Sequence, residues 1–275
     1  MRLRESLRWF DTKPLFGKRV LVTRAVQQAG SLAQLLRDEA AQPILAPTIR
    51  LEPPLDPGPL RDAMTHLDCY GWILFTSSNT VDAVFTEMRR TGLDARAMGN
   101  TKVCAIGAKT RDALAQHGLR ADLVPQDARA EGIVEALRSE LAEGIRILLP
   151  RAEVGREVLP DALRKQGGEV DVVPAYRTLP PEPREAERIR ALVDPKEIDA
   201  VLFTSSSTVQ NLVDVLGDEA AQRLASVDLF SIGPITTRTA ENLGLKIRAT
   251  SPEQTIESLV ATVRAYYVKG DDPVA

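Results

Sequence analysis

Two serine-rich turns have the residue types to hold an anion. Thr76-Ser77-Ser78-Asn79 and Thr204-Ser205-Ser206-Ser207 each follow an apolar, strand-like run and open a helical pattern. Hydroxyl and amide side chains there satisfy the orphan N–H groups of a first helical turn. Such turns also lie at the carboxyl ends of strands, where open α/β sheets bind ligands. The uncovered N–H groups and positive end of a helix favour carboxylate or phosphate. Ser77 and Ser205 are therefore read both as caps and as substrate-binding residues. No serine has a histidine base within a recognisable motif, which argues against a nucleophilic hydrolase.

A second pair of turns, Gly107-Ala108-Lys109-Thr110 and Gly233-Pro234-Ile235-Thr236, follows the next strand-like runs. Glycine permits a tight turn, and proline suits the first helical position. Neither turn is a GxGxxG or Walker loop, so a nucleotide-dependent enzyme has little support. Thr110 and Thr236 are first-turn fillers on one reading and substrate ligands on the other. Arg24 and Arg151 close equivalent strand patterns, with Lys109 and Arg156 near in the pattern, and suggest an anion-lined cleft. Tyr176, in Pro174-Ala175-Tyr176-Arg177-Thr178, stands where an equivalent segment has Ile49. A phenol on one side only marks a specialised position. The plainer alternative is a core-edge aromatic with a wet hydroxyl. His66 and His117 lack partners at metal-ligand spacing, so no metal site is expected.

These pairs exist because the chain repeats itself. Ile73–Val81 (ILFTSSNTV) recurs as Val201–Val209 (VLFTSSSTV), 128 positions on. Val103–Gly107 recurs as Leu229–Gly233 after 126, and Arg19–Arg24 as Arg146–Arg151 after 127. That period is too long for a solenoid and denotes two copies of a domain-sized unit. Strands are predicted at Arg19–Thr23, Pro43–Thr48, Trp72–Thr76, Lys102–Ile106, Ala121–Val124, Arg146–Leu149, Val170–Pro174, Ala200–Thr204, Asp228–Ile232 and Lys246–Ala249. Helical patterns between them include Ser31–Ala40, Thr80–Arg89, Lys109–His117, Glu131–Leu141 and Thr255–Tyr266. Alternation of apolar strands and helices specifies parallel α/β sheets. The repeat has two parts, in the order A, B, A, B. Both A parts (Arg19–Pro54 and Arg146–Pro181) end in a proline-rich connector, Pro43–Pro54 or Val170–Pro181. Either two tandem domains, or connectors that cross over so that the first A docks with the second B, satisfy this pattern.

The 275 residues carry a net charge of −3 and are 44% hydrophobic. Two ordinary cores can be built from this composition, and a nucleic-acid-coating protein would need a basic face. Two cysteines, Cys69 and Cys104, give no disulfide framework. No apolar run reaches the ~18 residues of a membrane span. The N-terminal MRLRESLRWFDTKPLF lacks the apolar core of a signal peptide, so a cytoplasmic protein without membrane or nucleic-acid partners is expected.

From Lys18 to Val263 the chain resembles the uroporphyrinogen-III synthase family. The marks are VLVTR, ILFTS followed by NTV, the AIG-x-x-T turn, LPRAEVGRE, the connector VVPAYRT, VLFTSSSTV and SIGP-x-T, in that order and spacing. The resemblance implies an α/β fold of two flavodoxin-like parallel-sheet domains joined by a two-stranded connector, with exchanged chain segments. One domain would comprise 1–50 and 178–275, the other 51–177. It implies a lyase, monomeric and without cofactor, that cyclises hydroxymethylbilane, a linear tetrapyrrole octacarboxylate, with loss of water and inversion of ring D. Transient contact with the enzyme that supplies hydroxymethylbilane is a further expectation. Tyr176 would be the tyrosine associated with loss of the substrate hydroxyl. Arg24, Ser77, Thr110, Arg151, Ser205 and Thr236 would bind substrate. Arg111 and Thr237 depart from the family pattern, in which a small residue often follows the turn threonine. The competing class is a non-catalytic two-domain anion-binding or regulatory protein of the same fold.

Overall fold

The structure, a computed structural model, describes residues 10–127, 129–141, 144–155, 157–193 and 197–270. The strands are β1 (Arg19–Val22), β2 (Gln42–Leu45), β3 (Arg50–Glu52), β4 (Trp72–Phe75), β5 (Lys102–Ala105), β6 (Arg146–Ala152), β7 (Glu169–Leu179), β8 (Ala200–Phe203), β9 (Asp228–Ser231) and β10 (Ile247–Thr250). The helices used below are α1 (Val26–Asp38), α2 (Gly58–Thr65), α3 (Ser78–Arg90), α4 (Ala108–Gln116), α5 (Ala130–Leu137), α6 (Val158–Lys165), α7 (Pro183–Leu192), α8 (Ser206–Leu216), α9 (Ala220–Leu224), α10 (Pro234–Asn242) and α11 (Ile256–Gly270).

Two five-stranded sheets form, in the orders β10-β9-β8-β1-β2 and β3-β7-β6-β4-β5. Every residue of β4 and β8 is buried. Strands apolar on both faces need helices on both sides, and the parallel ladders supply that geometry. In the first sheet Val20 pairs with Ala200 and Leu21 with Val201, all in parallel register. A strand from the opening of the first copy therefore lies beside strands of the second copy, and the exchanged arrangement holds. The chain divides into two compact units, Met1–Arg50 with Leu179–Ala275, and Leu51–Thr178.

Each sheet has a hydrophobic cluster on either face. In the first unit Leu21, Val201 and Phe203 face one side, and Val20, Val22, Ala200 and Leu202 the other. In the second, Ile73, Phe75 and Leu148 oppose Trp72, Leu74, Ile147 and Leu149. This period-two partition is the pleat read directly from the sequence.

Three expectations need correction. Ala121–Val124 is no strand: one bridge joins Cys104 and Leu123. The Asp122 carboxylate accepts the Val103 N–H at 2.7 Å, in place of a backbone carbonyl. The first connector is not continuously extended. β2 stops at Leu45 and β3 begins at Arg50, and between them Thr48 folds back so that its hydroxyl and N–H both reach the Thr23 carbonyl, at 3.1 and 3.4 Å. The helix expected at Ser31–Ala40 begins earlier, at Val26, behind an Ala25 N-cap that offers no side-chain acceptor. Prolines inside strands are tolerated by position. Pro43 lies on the edge strand β2, and Pro150 lies beyond the β4–β6 pairing, which ends at Ile73–Leu148.

Candidate functional site

In parallel sheets all strands run the same way, so their carboxyl ends share one edge. In the second unit, Tyr176 lies near that end of β7, Arg151 on β6, Ser77 just after β4 and Thr110 just after β5. In the first, Thr236 follows β9, Ser205 follows β8 and Arg24 follows β1. Adjacent strands are roughly 4.8 Å apart, so each unit gathers its own set within a few strand widths.

Ser77 adopts an extended backbone and its Oγ accepts the Thr80 N–H at 3.2 Å, capping α3. Ser205 does the same for α8 with the Thr208 N–H at 3.3 Å, and Thr208 returns the bond to the Ser205 N–H at 3.2 Å. Both hydroxyls serve as caps. The first N–H groups of a helix find no partner within the helix itself, and a helix start is where anions are commonly bound. α4 and α10 start differently. Their N-caps, Gly107 and Gly233, provide no side-chain acceptor. Gly107 sits at φ 90°, a left-handed conformation that favours glycine. Thr110, buried, donates its hydroxyl to the Ile106 carbonyl at 3.1 Å. Thr236 is equally buried, at 5% exposure, yet its hydroxyl makes no such bond among the described residues.

Arg24 is partly buried between Thr23 and Ala25, and burial lowers its guanidinium pKa from the ordinary value. An arginine drawn out of water gains more from an incoming carboxylate than a solvated one. Arg151 is 14% exposed and already ion-paired with Glu157, so a substrate carboxylate competes with that partner. Arg156 lies outside the described residues.

Tyr176 owes its direction to an irregularity. Arg151 stands opposite Pro174, but Ala152 stands opposite Tyr176, leaving Ala175 as an extra residue on β7. Val170 and Val172 face one cluster, while Val173 and Ala175 face the other. Strict alternation would put Tyr176 with Val172. The bulge turns it to pack, partly buried, against the Val173 and Ala175 cluster. Its hydroxyl has no hydrogen-bond partner among the described residues, and its carbonyl accepts the Glu153 N–H at 2.8 Å.

Sequence reasoning passed over Thr23, fully buried with an unpartnered Oγ1. Its counterpart in the other copy is Pro150, so comparison of the copies held the signal. Two concavities of the second unit are lined by residues other than these candidates. One, of about 620 Å³, includes Pro59, Tyr70, Arg146 and Asp171, at the amino ends of β6 and β7. The other, of about 570 Å³, includes Arg111, Leu119, Arg120 and Val124, beside α4. Among the described residues no group of three or more His, Cys, Asp or Glu could hold a metal ion, and no helix is long and apolar enough to cross a membrane.

A family model described as uroporphyrinogen-III synthase HemD matches residues 30–261. The uroporphyrinogen-III synthase of Synechococcus elongatus is 32% identical over 261 residues, covering 92% of this chain and 97% of that protein. The porphyrin biosynthesis protein HemD of Ruminiclostridium josui is 30% identical over 94% of this chain, which spans half the length of that relative. The fold is similar to a crystal structure of a mutant uroporphyrinogen III synthase from Thermus thermophilus, with a TM-score of 0.60 at 20% identity over 93% of this chain and 100% of that one.

Proposed function

Because the chain belongs to the uroporphyrinogen-III synthase family, we propose that it is a lyase that cyclises hydroxymethylbilane to uroporphyrinogen III. The observation that carries this reading is the family match over residues 30–261 on a chain whose candidate anion ligands all fall at strand carboxyl ends. The substrate is a linear tetrapyrrole with eight carboxylates, and guanidinium groups and uncovered helix N–H groups are the ligands it calls for.

The hydroxyl of the ring-A hydroxymethyl group takes a proton and leaves as water, and an azafulvene-like cation remains. Ring D bonds to that carbon through its own substituted position, giving a spiro intermediate. That intermediate rearranges and closes with ring D inverted, and the ring system returns a proton. Tyr176 is the assigned proton donor at the first step, directly or through one water. Among the described residues its hydroxyl has no partner to compete with the substrate. General acid catalysis contributes about 10²–10⁴ in rate. Holding a flexible chain in one folded arrangement contributes more. Arg24, Ser77, Thr110, Arg151, Ser205 and Thr236 are assigned to carboxylate binding, the serines through the backbone of the turns they cap.

The protein is further proposed to act as a cytoplasmic monomer that meets the hydroxymethylbilane-producing enzyme only transiently. Sedimentation at a mass near 30.1 kDa supports the monomer, and a stable dimer contradicts it. The reading as a whole is tested with freshly made hydroxymethylbilane, whose consumption should accelerate saturably with added protein. Tight binding of the bilane with no acceleration would favour the non-catalytic anion-binding class.

A further inference from the structure

The two glycine turns are equivalent in sequence but differ in what holds them. In α4 the turn threonine does the structural work itself, through the bond from the Thr110 hydroxyl to the Ile106 carbonyl. In α10 that work moves one residue along. Thr237 Oγ1 donates to the Gly233 carbonyl at 3.3 Å, a back-bond to the residue four earlier. It also lies 2.6 Å from Thr250 Oγ1 and within a short hydrogen bond of Ser231 Oγ. A hydroxyl has one proton to donate and two lone pairs to accept with. Thr237 is thereby filled: it donates to Gly233 and accepts from Ser231 and Thr250. The remaining contact, Ser231 to Thr250 at 3.4 Å, is the weakest of the set.

This three-hydroxyl cluster ties the end of β9, the end of β10 and the first turn of α10 together. It belongs to one copy only. The residues 126 positions earlier are Ala105, Arg111 and Val124, two of them apolar and the third paired outward with Asp112 at 2.8 Å. The copy with the cluster is the one whose turn threonine, Thr236, a residue 5% exposed, makes no side-chain hydrogen bond among the described residues. Unlike the sealed Oγ1 of Thr23, the Thr236 oxygen is not among the buried unpartnered atoms, so a ligand can reach it.

We propose that Ser231, Thr237 and Thr250 are positioning residues that fix the first turn of α10, so that the Thr236 hydroxyl is held unbonded for a substrate oxygen. The two copies thus divide labour: Thr110 braces its own turn, and Thr236 is relieved of that task by Thr237. This inference rests on the synthase reading, since the substrate is what completes Thr236.

Thr237→Val removes the donor while keeping the shape. It should lower kcat/KM by about fivefold, the worth of one hydrogen bond, and raise the share of the uninverted isomer, which unassisted closure produces. Thr237→Ser should restore both. Because Thr237 acts through Thr236, Thr236→Val combined with Thr237→Val should be no slower than Thr236→Val alone. Should Thr237→Val fail to fold, Ser231→Ala, which leaves the Gly233 bond in place, should show a smaller loss in the same direction. A Thr237→Val enzyme within about twofold of wild type, or losses that multiply in the double variant, overturns the inference. Wild-type protein without synthase activity would sink the underlying reading instead, so the two failures are distinguishable.

Discussion

Replacing Tyr176 by Phe removes a single oxygen that nothing in the described protein holds. The ring packs against the cluster that contains Val173 and Ala175, and that packing survives the change. Stability should therefore shift by less than about 0.5 kcal/mol, as for a surface substitution, while kcat falls by about tenfold or more, less than the full ~10²–10⁴ of general acid catalysis where a water stands in for the phenol. Turnover at the wild-type rate would make Tyr176 a packing residue and leave catalysis to orientation alone. At this scale the sequence was informative where the copies differ. Tyr176 against Ile49 was visible as a difference, but the bulge at Ala175 that aims the phenol was not, because a one-residue slip in pairing leaves no mark in composition. Thr23 opposite Pro150 was equally visible in the repeat. Its significance depends on an unpartnered buried oxygen, which only packing reveals.

The elements that carry the turns allow capping to be separated from binding. Ser205→Ala should cost about 1 kcal/mol of stability, since it removes one half of a reciprocal cap. Ser205→Asp should keep the cap, because aspartate serves as well as serine there. Its negative charge should raise KM if carboxylates bind at this helix end. Unchanged KM in the Asp variant would remove Ser205 from the binding set. A second element-scale outcome concerns pH. Tyr70 ends a short 3-10 turn and donates to Asp171 on β7 at 2.8 Å. Burial, and then that hydrogen bond, push its pKa up to about 12. The fold thus favours the neutral phenol, so this stabilisation is intact below the unfolded pKa near ~10 and is lost as pH rises from there through about 12. Alkaline unfolding curves of Tyr70→Phe should lack that part of the slope. Identical curves for the two proteins would contradict the assignment. Fully buried strands such as β4 and β8, though only four residues each, were legible from continuous apolar runs. The start of α1 was not, because Ala25 gives no capping signal. Neither was the loss of a strand at Ala121–Val124, where Asp122 takes over a backbone role.

For the molecule as a whole, duplication was the most legible property, and it left one question that pattern cannot answer. Tandem and exchanged arrangements bury the same apolar runs, and it is the pairing of β1 with β8 and of β4 with β6 that distinguishes them. Duplication also explains why the site is hard to read. A reaction that depends mainly on holding a polyanion spreads its ligands over repeated turns, and no single motif stands out. Whether this protein closes a linear tetrapyrrole with one ring inverted is read from the isomer it forms. Freshly made hydroxymethylbilane should be incubated with and without the protein, and the products oxidised and separated as porphyrin isomers. The inverted isomer III as the dominant product with protein, against isomer I without it, is the predicted result. The same isomer I in both samples would contradict it.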